Sequence, residues 1–259
     1  MYTVAHISDP HLDGGESSLA RLRQVAAYLR AMDPTPDVIA LTGDIIQGDA
    51  DGGYAVARDL LADIAPLLSC PGNSDKRPLL REIVPHDGAE TDGNDPVNYV
   101  QAVGAVTFVM LDSSVPGEFI GELTVDTLDW LRQALGTIPP ATPIVVCLHQ
   151  PPVSLGIPAV DAFGLQNPED LAAALQAHDN VVAVLVGHTH GATVTTFAGV
   201  PVIVAPGIHS GLRAPWEGGD SLLDEDVPPA IALHLIDVDA APPRLVTHIR
   251  SISSVAGGV

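Results

Sequence analysis

Asp9-Pro10-His11, Gly43-Asp44, Gly72-Asn73, His149 and Gly187-His188-Thr189-His190 occur in this order, and each closes a short apolar run. Together they offer two carboxylates, four imidazoles and one carboxamide. Oxygen and nitrogen donors without a thiolate suit Mn, Fe, Zn or Co rather than an iron–sulfur cluster or a Cys-rich structural zinc. Such a set is large enough for a pair of ions, and two metals roughly 3.5–4 Å apart are a standard device for in-line displacement at phosphorus. The chemistry on offer is hydrolysis of a phosphate ester.

Spacing strengthens that reading. Alternate residues leave a strand end on the same side, so Asp9 and His11 can converge on one ion. Gly43, after the apolar Val38-Ile39-Ala40-Leu41, lets the chain turn sharply and lift Asp44 above the strand end. A carboxylate has two oxygens, so Asp44 can bridge both ions. Gly72-Asn73 repeats the design with a neutral donor after Leu67-Leu68-Ser69-Cys70-Pro71. Taken singly, Asp-x-His reads as a turn with a capping Asp, and a lone strand-end His as a satisfied core residue. Five apolar strands with metal-capable residues at their C-terminal ends, where α/β sheets carry their sites, point instead to one centre.

The elements that must position these groups are legible from periodicity. Strands are expected over residues 2–8, 37–42, 67–71, 98–103, 105–112, 143–149, 181–187, 192–197, 200–205, 231–238 and 244–250. Helices are expected over 17–32, 53–65, 75–84, 124–135 and 168–178. Leu19, Leu22, Val25, Ala26 and Leu29 give the first helix one apolar face. Thr124 and Asn167 stand as N-caps, the latter before Pro168 and Glu169. Helices stop near Ala192 and strand-pair signals follow. That order suggests two sheets face to face with helices outside, in a single domain over residues 1–259. Residues 207–229 are Gly-, Pro- and acid-rich and read as a long irregular loop bordering the substrate opening.

Composition excludes other classes. The chain has 259 residues, 46% of them hydrophobic, enough for one well-buried α/β domain. Its formal charge of -21, from 11 Lys+Arg against 32 Asp+Glu, disfavours nucleic acid and anionic membrane as partners. Cys70 and Cys147 lie in apolar runs and are expected as buried free thiols. The longest apolar stretch is far below the ~20 residues that span a bilayer. No basic region precedes the first strand, so a cytoplasmic location is expected.

As a set these motifs resemble those of the calcineurin-like metallophosphoesterases: D-x-H, G-D, G-N-H-D/E, H and G-H-x-H. The resemblance runs over roughly residues 3–206. Leu111-Asp112-Ser113-Ser114-Val115-Pro116-Gly117, Gly121-Glu122-Leu123, His6-Ile7-Ser8-Asp9 and Leu148-His149-Gln150-Pro151-Pro152 look like the class III bacterial cyclic-nucleotide phosphodiesterases. The resemblance implies a four-layer αββα sandwich of two mixed sheets. It implies two divalent ions per chain (Mn, Fe or Zn), one held by Asp9, His11, Asp44 and His190. The other would be held by Asp44, Asn73, His149 and His188, with Asp44 shared and a metal-held hydroxide as nucleophile. The substrate implied is a small phosphodiester, with a cyclic nucleotide preferred, and the family also admits a homodimer.

Two departures stand out. The family's G-N-H-D/E is Gly72-Asn73-Ser74-Asp75 here, so a hydroxyl that cannot titrate near pH 7 replaces an imidazole. Gln150 stands where close relatives often have another His. Asp44, Asn73 and Ser74 are the catalytic candidates; His11, Asn73, His149 and His209 are candidate substrate contacts. Two alternatives remain: hydrolysis of other small phosphate esters such as glycerophosphodiesters, and a catalytically weakened member that binds a nucleotide or a partner. Lys76 and Arg77 read as a solvated helix start within reach of a phosphate. His6 reads as support for the first ligands, and Trp216 either covers a base or packs the loop. His86, His178, His234 and His248 have no motif around them.

Overall fold

Each of the eleven expected strands forms, with ends within two residues of expectation. The computed structural model describes residues 1–84 and 93–253, so His86 lies outside the described residues. One sheet has the order β13 (Arg244–Ser251), β12 (Ala230–Asp237), β1 (Tyr2–Ile7), β2 (Val38–Leu41), β3 (Leu67–Ser69). The other runs β4 (Tyr99–Val103), β5 (Val106–Met110), β6 (Ile144–Cys147), β7 (Val181–Val186), β9 (Val200–Val204), β8 (Thr193–Phe197). Central pairs β1–β2–β3 and β5–β6–β7–β9 are parallel. The outer pairs β1–β12, β12–β13, β4–β5 and β8–β9 are antiparallel. Both sheets are therefore mixed.

Alternation within β5 shows the layering. Phe108 and Met110 join a core with Tyr2, Val4 and Ile39, whereas Val109 joins Leu128, Leu131, Val146, Leu171 and Val184. The Tyr2 and Phe108 rings meet 6.5 Å apart between the sheets. Outside the first sheet lie α1 (Glu16–Arg30) and α2 (Gly53–Leu61), burying Leu22, Val25, Leu29, Tyr54 and Leu61. Outside the second lie α4 (Val125–Thr137) and α6 (Pro168–Leu175). The result is an αββα sandwich. Each fully buried Leu or Val on these helix faces contributes about 1.5–3 kcal/mol.

Several local expectations are corrected. Ser18 rather than Leu19 completes the buried face of α1, its hydroxyl donating to Asp13 Oδ1 at 2.6 Å. Thr124 caps α4 by accepting from Thr127 N at 3.1 Å, but Asn167 does not cap α6. Its carboxamide instead pairs with Leu123, accepting from N at 3.0 Å and donating to O at 2.8 Å. The 75–84 helix shrinks to one turn, α3 (Arg77–Leu80), and α5 (Pro158–Asp161) has no counterpart among the expected helices. Residues 207–229 are not wholly irregular: β10 (Gly211–Leu212) pairs antiparallel with β11 (Leu223–Asp224). Arg21 of α1 pins both ends of that segment through the carbonyls of Ile208, Glu225 and Val227. Both cysteines are buried and free. No helix among the described residues is long and apolar enough to cross a membrane.

Candidate metal centre

The C-terminal ends of β1, β2, β3, β6 and β7 point to one edge of the sandwich, and their loops bring two trios together. Asp9, His11 and His190 form one; Asp44, His149 and His188 form the other. Donors bound 2.0–2.2 Å from a common ion sit about 3.0–3.6 Å apart. His190 Nε2 lies 3.1 Å from His11 Nε2 and 3.4 Å from Asp9 Oδ1. His188 Nδ1 lies 3.2 Å from His149 Nε2. Asp44 Oδ2 lies 3.4 Å from His11 Nε2 and 3.5 Å from His149 Nε2, so a single oxygen faces both trios.

The outward atoms of these side chains are fixed, which sets what the inward atoms can do. His149 Nδ1 donates to the Thr42 carbonyl at 2.6 Å and His11 Nδ1 to Gln47 Oε1 at 2.8 Å. Each Nε2 is thereby left as a lone pair aimed inward. Ser210 Oγ holds His190 Nδ1 at 2.7 Å. Asp44 Oδ1 accepts from Ser74 N at 2.9 Å, and Asp9 Oδ2 from His188 N at 3.1 Å. Asp9 Oδ1 and Asn73 Oδ1 are buried without a partner. A buried acceptor left unpaired costs about 1–3 kcal/mol, and a cation satisfies it. These oxygen and nitrogen donors fit a pair of divalent ions.

Charge agrees with geometry. Burial works against ionisation of Asp9, but His190 and His11 outweigh it and hold the carboxyl at about 2. Burial likewise opposes charge on His149, yet the Asp44 carboxylate raises it to about 9. Burial first, then the His149 charge, pushes His188 down to about 4. The centre is thus built to hold positive charge between two buried carboxylates.

Backbone strain marks the same residues. Asp9, His11, Asp44, His188 and His190 all take left-handed φ values between 43° and 71°. Non-glycine residues rarely do so, and such strain concentrates at functional sites. Gly72 is required by close approach, since a Cβ there would lie 2.2 Å from Asp44 Oδ1. A Cβ on Gly187 would lie 1.9 Å from Ser8 Oγ and 2.9 Å from Asp9 Oδ2.

Residues 2–192 match the profile described as calcineurin-like phosphoesterase. The chain belongs to that family. It is 32% identical over 216 residues to a cAMP/cGMP dual specificity phosphodiesterase of Mycobacterium tuberculosis, spanning 79% of this chain and 66% of the relative. A glycerophosphodiester phosphodiesterase of Enterobacter lignolyticus is 30% identical over 217 residues, 78% of this chain and 76% of that protein. A 3′,5′-cyclic adenosine monophosphate phosphodiesterase of Pseudomonas aeruginosa is 32% identical, over 72% and 69%. The fold is shared with a dimetal phosphatase from Danio rerio at a TM-score of 0.67 and 16% identity, covering 97% of this chain and 99% of that one. As a calcineurin-like phosphoesterase, the protein is a metal-dependent phosphoric ester hydrolase.

Around the calcineurin-like centre the structure sorts the remaining candidates. A cavity of about 690 Å³ is lined by His11, Asp44, Asn73, Ser74, His188 and His209, among others. Ser74 Oγ and His209 Nδ1 are buried there without partners. His149 is fully buried behind the cavity wall. Lys76 turns away to Asp49 and Asp51, and Arg77 is not a solvated helix start. Its guanidinium pairs with buried Asp112 at 2.7 Å and donates to Ser114 O at 2.9 Å. No Lys or Arg is among the described residues that line the cavity. Trp216 projects into solvent, 77% exposed, away from the cavity.

Besides Gln47 and Ser210, three further supporting residues were not foreseen. Asp75 accepts from Ile45 N, Tyr54 Oη and Gly72 N, tying the loops after β2 and β3. Burial and then Asp44 push its carboxyl up to about 6. Thr42 carries His149 on its carbonyl and meets His6 Nε2 at 3.0 Å with its hydroxyl. His234 backs His6 at 3.1 Å, so His6 supports the centre through Thr42. Asp75 falls inside the motif and was open to sequence reading; Thr42 and His234 depend on strand neighbours distant in sequence.

Proposed function

We propose that this calcineurin-like phosphoesterase hydrolyses small phosphodiesters at a two-metal centre and that 3′,5′-cyclic nucleotides are its substrates. The observation that carries the reading is Asp44, whose one free oxygen faces both donor trios while the other is held by Ser74 N. Asp9, His11, Asp44 and His190 would hold one ion, and Asp44, Asn73, His149 and His188 the other. When bound, two divalent ions activate water and neutralise charge developing on phosphorus oxygens.

The chain's own residues do the rest. Thr42, Gln47 and Ser210 fix the rings of His149, His11 and His190, so the donors need no reorganisation. Asn73 offers its oxygen inward and keeps an amide N–H for a phosphate oxygen. Ser74 can donate a hydrogen bond to the departing oxygen, but it supplies no proton by titration near pH 7. With no Lys or Arg among the described residues of the wall, the bound ions would supply the positive charge that meets the substrate's anion, beside the Asn73 amide. The relatives named for cyclic AMP and cyclic GMP support the nucleotide preference.

The test is a substrate comparison on Mn²⁺-loaded protein using 3′,5′-cyclic AMP, glycerophosphoethanolamine and 4-nitrophenyl phosphate. Turnover of both diesters, with kcat/KM highest for the cyclic nucleotide, is expected. A preference for the monoester would overturn the diesterase reading. A preference for the glycerol ester would favour the activity named for the Enterobacter relative.

A further inference from the structure

Two phenylalanines stand open beside the metal centre. Phe119 is 64% exposed and Phe163 41% exposed, and among the described residues Trp216 is the only other large aromatic side chain this open. Both line the cavity that holds His11, Asp44, Asn73 and His188. Their centroids are 5.9 Å apart at 68°, an edge-to-face contact that leaves ring faces free.

Their position is built rather than accidental. Phe119 lies in the loop between β5 and α4, and Phe163 just beyond α5. Gly121 N donates to Gly164 O at 3.2 Å and Gln166 N to Gly121 O at 2.8 Å, which ties the two loops together. Gln150 then fastens the pair to the centre. Its Nε2 donates to Phe119 O at 3.4 Å and its Oε1 accepts from Ser113 Oγ at 2.6 Å. Gln150 is fully buried and directly follows His149. A Cβ on Gly121 would come within 2.8 Å of Gln150, so the loop is seated against it. The rings are therefore held at a set distance from the phosphate-binding end.

The cavity's composition says what they hold. Away from the donor residues, Phe119, Ala159, Val160, Phe163, Leu222 and Leu223 supply an apolar wall. A glycerol or choline-type ester group would find little hydrogen bonding there. A flat aromatic ring finds a stacking face. We propose that Phe119 and Phe163 form an aromatic wall that receives the planar ring of the ester group, a nucleobase or an aryl ring, and selects it over glycerol-type esters. This rests on the phosphodiesterase reading above and names its specificity determinants, with Gln150 as the residue that positions them.

Stacking of a base on one aromatic side chain corresponds to roughly 5- to 150-fold in affinity. On Mn²⁺-loaded full chain, Phe119→Ala and Phe163→Ala should each raise KM for 3′,5′-cyclic AMP by a factor in that range, with kcat changing less. The kcat/KM ratio of cyclic AMP to glycerophosphoethanolamine should fall accordingly, and Phe119→Trp should restore it. Adenosine, which lacks a phosphate, provides a second probe on metal-free protein. Saturation-transfer NMR should show its adenine protons contacting the unaltered chain, and that signal should vanish in the double variant. A substrate ratio within twofold of the unaltered chain would overturn the proposal, as would an unchanged adenosine signal. A change of oligomeric state with no change in ratio would overturn it too, because the patch would then serve self-association. If the unaltered chain turns over no diester, the activity reading fails, and the adenosine signal alone decides the wall.

Discussion

Ser74 separates the structural duty of its position from the chemical one. Its backbone N–H holds Asp44 Oδ1 at 2.9 Å, a bond that any residue but proline would keep. Its hydroxyl faces the cavity, buried and unpartnered, where the related motif has an imidazole. General-acid help is typically worth about 10²–10⁴-fold, and it matters most for a poor leaving group such as a ribose alkoxide. Ser74→His should therefore raise kcat for 3′,5′-cyclic AMP by about one to three orders of magnitude within that range. A bis(4-nitrophenyl) diester, whose nitrophenolate leaves unaided, should change much less. Manganese content should stay the same, because Asn73 and not Ser74 is the proposed donor. Equal effects on both substrates would show that position 74 does not act on the leaving group. At this scale the donor types were legible because they cluster just after apolar runs, and three of the seven, Asp44, Asn73 and His188, directly follow a glycine. The left-handed backbone at Asp9, His11, Asp44, His188 and His190 was not legible, since non-glycine residues carry no sequence mark of it.

The buried strands read well from the sequence because runs such as β2, β6 and β7 are wholly apolar, and β2, β3, β4, β7, β8 and β9 stop within two residues of a Gly or Pro. The helices read less well at their ends. α3 covers only one turn, and its first residue, Arg77, reaches out to Asp112, Asn94 O and Ser114 O. Asn167 looks like a cap by position, but a partner 44 residues away in sequence takes its carboxamide. His234 is the clearest case of a role set by pairing. It sits on β12 beside β1, joining His6 on one side and Thr247 Oγ1 at 2.9 Å on the other. Burial pushes its ring from 6.5 down to about 3. The unfolded chain therefore binds more protons than the folded one between about pH 3 and 6.5, and stability falls as pH falls through that window. Between pH 7 and pH 5 this amounts to about 2 kcal/mol. Urea unfolding of metal-free protein at the two pH values should show that loss, and His234→Gln should lessen it by a similar amount. An identical pH dependence in the variant would mean that the His6–His234 pair does not carry the effect.

At the scale of the whole molecule, two mixed sheets stack so that five strand ends from both of them open on one edge. Neither sheet alone holds a complete trio: Asp9 and His11 follow β1, and His190 follows β7 of the other sheet. Asp44 follows β2 and meets His149 and His188 across the same divide. The metal pair would thus join the two halves of the sandwich, in a chain whose net charge of -21 makes local cations the only strong attraction for an anionic substrate. Chain order placed the ligands at strand ends, but which strands face each other emerged only with the sheets paired. The central claim is that two ions share Asp44, and metal content of Mn²⁺-reconstituted protein, compared with Asp44→Ala, tests it most directly. Two manganese ions per unaltered chain, and weakened occupancy of both positions in the variant, are predicted. One ion per unaltered chain, or a variant that still holds two at the same free Mn²⁺ concentration, would contradict it.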